Sequence, residues 1–521
     1  MTKKYYTVLI SLIVALGGFL LGFDSAVISG ATPFYKETFG LNSGSMLIGF
    51  SVSSLILGSI LGNIIAGKMA DRLGRRKVLR MTAVLFAVSA IGSAFAPEII
   101  SFLVARIIGG LGVGMAILVA PMYIAEIAPR KLRGTLVTFN QLNIVLGISI
   151  AYFSNYYFQQ NIAGPDLKWR LMLGVETVPA IIYLVLLYVV PRSPRWLIQK
   201  GFNDEALGVL KKIHGDTQSE IEFKEISDSL REEKKQEKGS WADVFSSKMK
   251  TVLIIGFGIA FFQQITGINA IFYYAPMIFE MAGGGKDAAF IQAAILGVTN
   301  VVMTIVAMFL IDSLGRKPLL YIGATGICIS LAIVGFSFMN AKYQINESTM
   351  KSLMEEVSQN NASSIHVTNL QNLSTLENGQ IDNEVTFFKM VKEKVGQETY
   401  NSYKETILKH SITINSIWVL IGLILFVASF AISMGPVMWT LLSEIFPNRL
   451  RGLAISIMGF WNSIVSFSVA TIFPVQLEQM GSTSTYLIYS LFSLISLIFV
   501  WKFIPETKGK SLEELEKKLI K

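Results

Sequence analysis

The chain has 521 residues, of which 52% are hydrophobic and 16% carry a charge, and its formal net charge is +9. Soluble proteins carry about 25% charged residues, so the composition argues against a soluble protein, whether an enzyme or a nucleic-acid-binding domain. The only cysteine, Cys328, excludes an intrachain disulfide and a cysteine cluster that binds a metal.

Twelve apolar segments follow one another along the chain, each long enough for about 20 residues of membrane-spanning helix. They cover residues 6–30, 45–67, 77–96, 99–127, 135–158, 169–191, 250–280, 287–311, 319–339, 412–445, 453–476 and 482–504. They predict an all-α membrane protein that crosses the bilayer twelve times.

An internal repeat divides these segments into two sets of six. Three pairs of motifs recur in the same order, after the second and eighth, the fourth and tenth, and the sixth and twelfth segments. The pairs are Asp71-Arg-Leu-Gly-Arg-Arg-Lys with Asp312-Ser-Leu-Gly-Arg-Lys-Pro, Glu126-Ile-Ala-Pro-Arg-Lys-Leu-Arg-Gly with Glu444-Ile-Phe-Pro-Asn-Arg-Leu-Arg-Gly, and Pro191-Arg-Ser-Pro-Arg-Trp with Pro505-Glu-Thr-Lys-Gly. Parallel repeats of this kind are typical of transporters built from two similar halves.

Four regions are therefore predicted. An N-terminal six-helix half covers 1–191, and a C-terminal half covers 250–504. Residues 192–249 join the halves as a cytoplasmic linker, and apolar residues at helical spacing predict short amphipathic helices there. The second half contains a polar insertion at about 340–411, which we place outside the cytoplasm, and residues 505–521 form a cytoplasmic tail.

The distribution of charge predicts the orientation of the chain. The segment Lys68–Lys77 contains five basic residues against one aspartate, whereas the loops on the opposite side are nearly neutral. Basic loops stay in the cytoplasm, so with an even number of spans both termini are cytoplasmic. This bias explains the positive charge without nucleic acid, and it predicts a multi-pass protein of the plasma membrane, in bacteria the inner membrane.

Three charged residues interrupt apolar segments of the first half: Asp24, Arg106 and Glu176. A charge at the centre of a membrane helix costs about 2.5–3.5 kcal/mol on insertion scales, so we expect these residues to be paired. One interpretation is a fixed salt bridge between Asp24 and Arg106 that only holds helices together. The other is a carboxylate that takes and releases a proton as Arg106 leaves and returns.

Charged residues also follow the apolar segments on the cytoplasmic side, in matching sets in the two halves. Such sets serve topology and solubility alone, or they form salt bridges between the halves that hold the cytoplasmic side shut. We favour this cytoplasmic gate, formed by Asp71, Arg75, Glu126, Arg133, Arg316, Glu444 and Arg451.

The segment Phe261–Tyr274 places three amides, Gln263, Gln264 and Asn269, in an apolar run. Hydrocarbon offers amides no partner, so they must face protein, water or a ligand. Amides are neutral and both donate and accept hydrogen bonds, which suits a neutral polyhydroxylated ligand better than an ion. The alternative is hydrogen bonding between helices. Further polar or aromatic residues within membrane segments are Gln141, Asn143, Tyr273, Asn300, Trp439, Trp461 and Asn462.

Several motifs together resemble the sugar porter family of the major facilitator superfamily, and most closely its bacterial proton-coupled xylose symporters. The motifs are Gly22-Phe-Asp-Ser-Ala-Val-Ile-Ser-Gly, Asp71-Arg-Leu-Gly-Arg-Arg, Pro191-Arg-Ser-Pro-Arg-Trp, Gln263-Gln-Ile-Thr-Gly-Ile-Asn, Gly435-Pro-Val-Met-Trp and Pro505-Glu-Thr-Lys-Gly. The resemblance covers the membrane domain and leaves out the insertion.

The resemblance implies functional roles for several of these residues. It implies that Asp24 takes the proton with Arg106 and Glu176 as coupled partners, since passive relatives usually have Asn in place of Asp24. It implies that the sugar is bound by Gln141, Gln263, Gln264, Asn269, Asn300 and Trp439, with Trp461 and Tyr273 nearby. The chain departs from the family at Phe460, where relatives often carry an amide, and at Leu21, where xylose symporters carry an aromatic residue.

We therefore predict a secondary active transporter, with no covalent catalysis and no cofactor, that imports a monosaccharide with a proton by alternating access. D-xylose and D-glucose are the expected substrates, and the monomer is the expected functional unit. The alternatives are a passive sugar uniporter and a sugar sensor that does not transport. A channel is disfavoured because the chain has no ring-forming filter motif.

Overall fold

The computed structural model describes residues 3–41, 46–129, 132–235, 240–359, 364–376, 380–447, 449–510 and 512–519. The first half contains five long helices and a sixth span that is broken in two. They are α1 (Lys3–Thr38), α2 (Met46–Leu73), α3 (Arg75–Ala94), α4 (Ile99–Ile127), α5 (Arg133–Asn161), α6 (Pro165–Gly174) and α7 (Thr177–Leu186).

The linker consists of short helices, as its apolar spacing predicts. They are α8 (Pro194–Gln199), α9 (Asn203–His214), α10 (Asp216–Lys235), α11 (Trp241–Val244) and a 3-10 turn at Ser247–Met249. In α9 the apolar side chains of Leu210 and Ile213 are buried, so one face of the helix packs against the rest of the protein.

The second half begins with a span that is broken at Gly267. Its first four helices are α12 (Lys250–Ile265), α13 (Ile268–Met281), α14 (Lys286–Leu314) and α15 (Arg316–Met339). Gly267 adopts a left-handed conformation (φ 89°) between α12 and α13, and Tyr274 within α13 departs from helical geometry. Glycine favours such a conformation because it has no Cβ.

The insertion is folded rather than extended. It contains β1 (Lys342–Tyr343), α16 (Glu347–Gln359), α17 (Ser364–Gln371), a 3-10 turn (Asn372–Leu376), α18 (Glu384–Val395), α19 (Gln397–Ser411) and β2 (Ile412–Thr413). The antiparallel pairing of β1 with β2 brings the two ends of the insertion together.

The remaining helices complete the second half and the tail. They are α20 (Ser416–Ile432), α21 (Met434–Ile445), α22 (Arg451–Phe503) and α23 (Leu512–Leu519). Within the described residues, eleven helical stretches are long and apolar enough to span a membrane. The longest, α22, is two helices joined at Gly481, where φ is 77°. Counting these two separately, the prediction of twelve spans is confirmed.

The predicted boundaries of several spans were too short. The helix α1 continues past residue 30 to Thr38, and α6 already begins at Pro165. Hydropathy marks only the part of a helix that hydrocarbon surrounds, whereas the helices continue beyond it into polar surroundings.

Glycines allow the helices of the first half to approach closely. A Cβ on Gly110 of α4 would lie 2.2 Å from the backbone oxygen of Leu55 in α2, and one on Gly114 would lie 2.2 Å from that of Ser59. Helices in membranes pack through such small residues.

The side of the bundle that carries the linker is called the linker side here, and the opposite side the insertion side. The two halves contact each other toward the insertion side. Ser53 of α2 lies 2.6 Å from Thr471 of α22, hydroxyl to hydroxyl. The Tyr152 hydroxyl of α5 donates to the backbone oxygen of Phe272 in α13 over 2.6 Å. The structure is thus closed toward the insertion side.

Candidate functional site

The broken seventh span brings three amides together. Gln263 and Gln264 lie in the last turn of α12, and Gly267 breaks the helix so that Asn269 lies in the first turn of α13 nearby. The Asn269 amide donates to Oε1 of Gln264 over 2.9 Å and to the Ser466 hydroxyl over 2.7 Å. Gln263 donates to the backbone oxygen of Met434 over 3.0 Å.

Asn462 of α22 is the hub of this network. In the sequence it is one of the polar residues of the membrane segments that together indicate a lined cavity, but it is not among the residues to which the resemblance assigns sugar binding. Its Nδ2 donates to Oε1 of Gln263 over 2.9 Å, while its Oδ1 accepts from Gln264 over 3.1 Å. The available signal was an amide in an apolar run, which the sequence does show.

Trp461 lies next to the amide network because it directly precedes Asn462 in α22. Trp461 stacks on Phe261, with ring centroids 6.5 Å apart, and its buried indole nitrogen has no hydrogen-bond partner in the described part of the chain. Trp439 is 41% exposed, although its helix α21 lies within an apolar span. Tyr273 is buried in α13. Aromatic faces of this kind pack against the apolar face of a sugar ring, while amides bond its hydroxyls.

Two of the predicted sugar-binding residues lie on α5 and α14, the helices of the two halves that pack against each other. Gln141 lies on α5, where its side chain is exposed. Asn300 lies on α14, which packs against α5, and its side chain is buried. The structure therefore gathers Gln263, Gln264 and Asn269 into one network, and it places Gln141 and Asn300 outside that network.

Asp24 and Arg106 form a buried ion pair between α1 and α4. Both side chains are almost completely inaccessible, and Arg106 also donates to the backbone oxygen of Asp24 over 3.3 Å. A Cβ on Gly109 would lie 2.3 Å from the Ser89 hydroxyl and 3.0 Å from Oδ2 of Asp24, so the glycine lets α4 pack closely beside the ion pair. The pairing that the sequence predicts is present.

Glu176 lies beside this pair, at the break between α6 and α7. Its side chain is buried and it interacts electrostatically with Asp24 and Arg106. One carboxylate oxygen of Asp24 and one of Glu176 have no hydrogen-bond partner among the described residues. Two carboxylates next to one guanidinium can hold an additional proton without leaving a net charge in the membrane.

The charged residues of the predicted cytoplasmic gate pair within each half. Arg75 binds Glu126 over 2.9 Å and lies 3.3 Å from Asp71. In the second half Arg316 binds Glu444 over 2.8 Å. These pairs lie within one half each in this structure, and bridges between the halves stay a prediction for a conformation that is closed on the linker side. The reason is local, since each arginine directly follows a left-handed glycine that starts a helix beside the glutamate of its own half.

Of the last two gate residues, Arg451 and Arg133, the structure describes the side-chain contacts of Arg451 alone. Arg451 donates to the backbone oxygen of Phe446 over 3.3 Å, within its own loop. The side chain of Arg133 lies outside the described residues.

Glu506 joins the gate residues of the second half, although the sequence analysis had not singled it out. Its carboxylate accepts from the backbone nitrogens of Arg316 and Lys317 over 3.2 Å and 3.0 Å, which caps the start of α15. Partial burial disfavours the charged form, but backbone hydrogen bonds outweigh it and keep the pKa of Glu506 below its usual value. Its presence in the repeated motif Pro505-Glu-Thr-Lys-Gly was the available signal.

Comparison with known proteins assigns this architecture. The sequence pattern of the family described as "Sugar (and other) transporter" matches residues 10–354 and 402–519. The chain is 35% identical over 519 residues to the arabinose-proton symporter of Bacillus subtilis, covering 99% of this chain and 96% of the relative. It is 34% identical to the D-xylose-proton symporter of Escherichia coli K12, covering 98% and 95%.

A solved structure of the same kind is also similar. The inward open conformation of the xylose transporter XylE from E. coli superposes with a TM-score of 0.72 at 33% identity, covering 98% of this chain and 99% of that one.

Proposed function

The chain belongs to the sugar transporter family, and from this premise we propose that it imports a monosaccharide together with a proton by alternating access. The protein is a multi-pass membrane transporter and no enzyme, as the relatives and the fold indicate. Relatives named for xylose, arabinose and glucose support a pentose or hexose as the substrate.

The observation that carries the proposal is the amide network at the break of the seventh span. Gln263, Gln264, Asn269 and Asn462 offer donors and acceptors without net charge, inside a membrane domain. A neutral polyol can exchange hydrogen bonds with such groups one for one, so binding leaves few polar groups unpaired. We assign the sugar site to these residues together with Gln141, Tyr273, Asn300, Trp439 and Trp461.

We assign proton coupling to Asp24, Arg106 and Glu176. An ion pair that stays intact in every conformation gives no coupling, so Arg106 must move relative to Asp24 during the cycle. Both residues lie on helices that run the full length of the first half, and the neighbouring Glu176 lies at a helix break, where the backbone can adjust. The proton enters when the pair opens and leaves when it closes.

In this proposal the charged clusters of the linker side stabilise each half separately. Arg75 with Glu126 and Arg316 with Glu444 each join the ends of helices within one half. They keep each half rigid while the halves rock against each other. The positive-inside bias places the linker side and both termini in the cytoplasm, and the working unit in this proposal is the monomer.

Uptake into proteoliposomes tests the function. Labelled D-xylose, L-arabinose and D-glucose are offered at equal concentrations on both sides, with and without an acidic outside. The proposal expects at least one sugar to accumulate only when the pH gradient is present. Equilibration that ignores the gradient selects the passive uniporter, and binding without uptake of any sugar selects the sensor.

A further inference from the structure

The insertion is an addition of this chain that its family does not account for. The family pattern matches up to residue 354 and again from 402, so 355–401 remain unmatched. This stretch contains the whole of helices α17 and α18 and their connections. The contacts of the insertion indicate its role.

The insertion is packed around buried apolar side chains that are continuous with the core of the second half. The side chains of Leu370, Leu373, Phe387 and Val391 are each at most 1% exposed, and Tyr343 of β1 stacks on Phe387 with ring centroids 5.2 Å apart. A folded unit that is closed at its base by β1 and β2 transmits force, whereas a loose loop does not.

A buried carboxylate docks the insertion on the turn within α22. Glu384, the first residue of α18, accepts from the backbone nitrogen of Ser482 over 2.7 Å and from its hydroxyl over 3.2 Å. Ser482 follows Gly481, whose left-handed backbone makes the turn between the last two spans. A Cβ on Gly481 would lie 3.3 Å from Val385, so the turn and α18 are in close contact.

A second polar contact lies beside the first. Lys404 of α19 forms an ion pair with Glu478 of α22, and the Tyr400 hydroxyl donates to the same carboxylate over 3.2 Å. The charged and titratable groups around Glu384 are thus Lys404, Glu478, Tyr343, Tyr400 and Tyr486, from the insertion and from α22.

The insertion also packs on α13, the half-helix that closes the insertion side. The helix α19 lies against α13, and Ile412 of β2 approaches the position of a Cβ on Gly283 to 3.1 Å. On its other face α13 contacts α1 and α5 of the first half, the latter through Phe272 and Tyr152. The half-helix is therefore held between the insertion and the opposite half.

A tyrosine of the insertion also interacts electrostatically with the first half. Burial raises the pKa of the Tyr403 phenol of α19, and the nearby carboxylate of Glu37, at the end of α1, raises it further. The insertion thus reaches from the second half toward the helix end of the first.

We propose that the insertion is a strap that holds α13 in its closed position by docking on the turn at Gly481 and Ser482. Opening toward the insertion side requires α13 to move away from α1 and α5, and the strap opposes this movement because it ties α13 to the last two spans. Weakening the dock shifts the protein toward the conformation that is open on the insertion side. The inference rests on the proposed function in one respect, namely that sugar enters when the insertion side opens.

Hydrogen exchange of the purified full-length protein tests the strap without any sugar. The readouts are the backbone amides of α13 and those of residues 46–56 in α2, which contain the Ser53 contact with Thr471. Glu384→Ala removes the dock, and we expect exchange in both regions to rise about tenfold, as for losing hydrogen bonds to a charged group. Faster exchange in α13 alone indicates local loosening and overturns the proposal. Unchanged exchange in both α13 and α2 also overturns it.

A matched control and a second variant complete the test. Asp382→Asn removes the exposed ion pair with Lys342 within the same insertion, and exchange in α2 and α13 should stay as in the parent protein. Amides of α18 report whether the insertion itself remains folded. If Glu384→Ala unfolds the insertion, the Glu478→Gln variant is measured instead, because Glu478 lies on α22 outside the insertion. Faster exchange in α2 and α13 of this variant supports the strap, and unchanged exchange refutes it. Absence of sugar uptake by the parent protein refutes the proposed function and leaves this result standing.

Discussion

Gln264 is the residue at which binding and structure are most closely connected. It donates to Gln263 and Asn462 and accepts from Asn269, so three polar side chains depend on it for their orientation. These side chains come from a helix end, a helix start and a third helix. A sugar that enters this network replaces bonds between the amides with bonds to its own hydroxyls.

We expect Gln264→Ala to weaken sugar binding tenfold or more while the protein still folds. Loss of one neutral hydrogen bond costs about 0.5–1.5 kcal/mol, and an unpaired hydroxyl of the ligand adds to this. Isothermal titration calorimetry of the purified variant measures the change. The matched control is Asn340→Ala, which removes an exposed amide at the end of α15. Equal affinity in Gln264→Ala and the parent removes Gln264 from the site.

Asp24→Asn separates sugar binding from proton coupling. Asparagine imitates the protonated carboxyl group permanently, so we expect binding to persist and uptake driven by a pH gradient to be lost. Exchange of sugar at equal concentrations requires no net proton movement and should survive. Removing one partner of a buried pair typically costs about 3–5 kcal/mol, and Glu176 remains to offset part of the charge of Arg106, so we also expect a lower melting temperature.

Proteoliposomes that contain the Asp24→Asn variant provide the measurement. Asp166→Asn, which affects an exposed pair with Arg170, serves as the control and should accumulate sugar like the parent. Continued accumulation by Asp24→Asn under an acid outside would show that the ion pair with Arg106 is a fixed structural bridge.

At the scale of helices, the breaks in the spans determine where polar groups can lie. The seventh span breaks at Gly267 and the tenth at Ser433, and the backbone oxygen of Met434 beside the second break accepts from Gln263 beside the first. An unbroken helix bonds its own backbone oxygens, whereas a break frees them for side chains or ligands. The two breaks therefore face each other across the candidate site.

Close packing of α2 with α4 predicts that Gly110→Ala is destabilising. The added Cβ would lie 2.2 Å from the backbone oxygen of Leu55, so the helices must separate, which typically costs about 1–3 kcal/mol. The thermal melting temperature in detergent should fall. Gly452→Ala, at the start of α22 with nothing within 4 Å of its Cβ, should leave it unchanged or raise it. Equal melting temperatures for the two variants would contradict the packing argument.

At the scale of the whole molecule, the linker and the insertion occupy opposite sides of the membrane in our proposal. On a Cys328→Ser background, Ser352→Cys in the insertion and Glu220→Cys in the linker provide two exposed thiols. A membrane-impermeant maleimide applied to intact cells should label Ser352→Cys, and it should label Glu220→Cys only after permeabilisation. The opposite pattern would invert the orientation and place both termini outside.

The sequence alone determined the class of protein, the number of spans, the division into two halves and the family. These features depend on local properties, because twenty apolar residues predict a span wherever they occur and a repeated motif can be recognised without coordinates. It also predicted that Asp24 needs a partner, since a lone charge in hydrocarbon is too costly. The same argument applies to Arg106 and to the amides of Gln263–Asn269, which also need partners.

Only the tertiary structure decided which polar groups meet. Arg75 reaches Glu126 of its own half, Asn462 connects Gln263 with Gln264, and Glu384 docks on Ser482 across about a hundred residues of chain. Each contact depends on the angle at which a helix starts or breaks, and a glycine with positive φ sets that angle in several cases. Composition predicts that a buried polar group has a hydrogen-bond partner, but the path of the backbone determines which group that partner is.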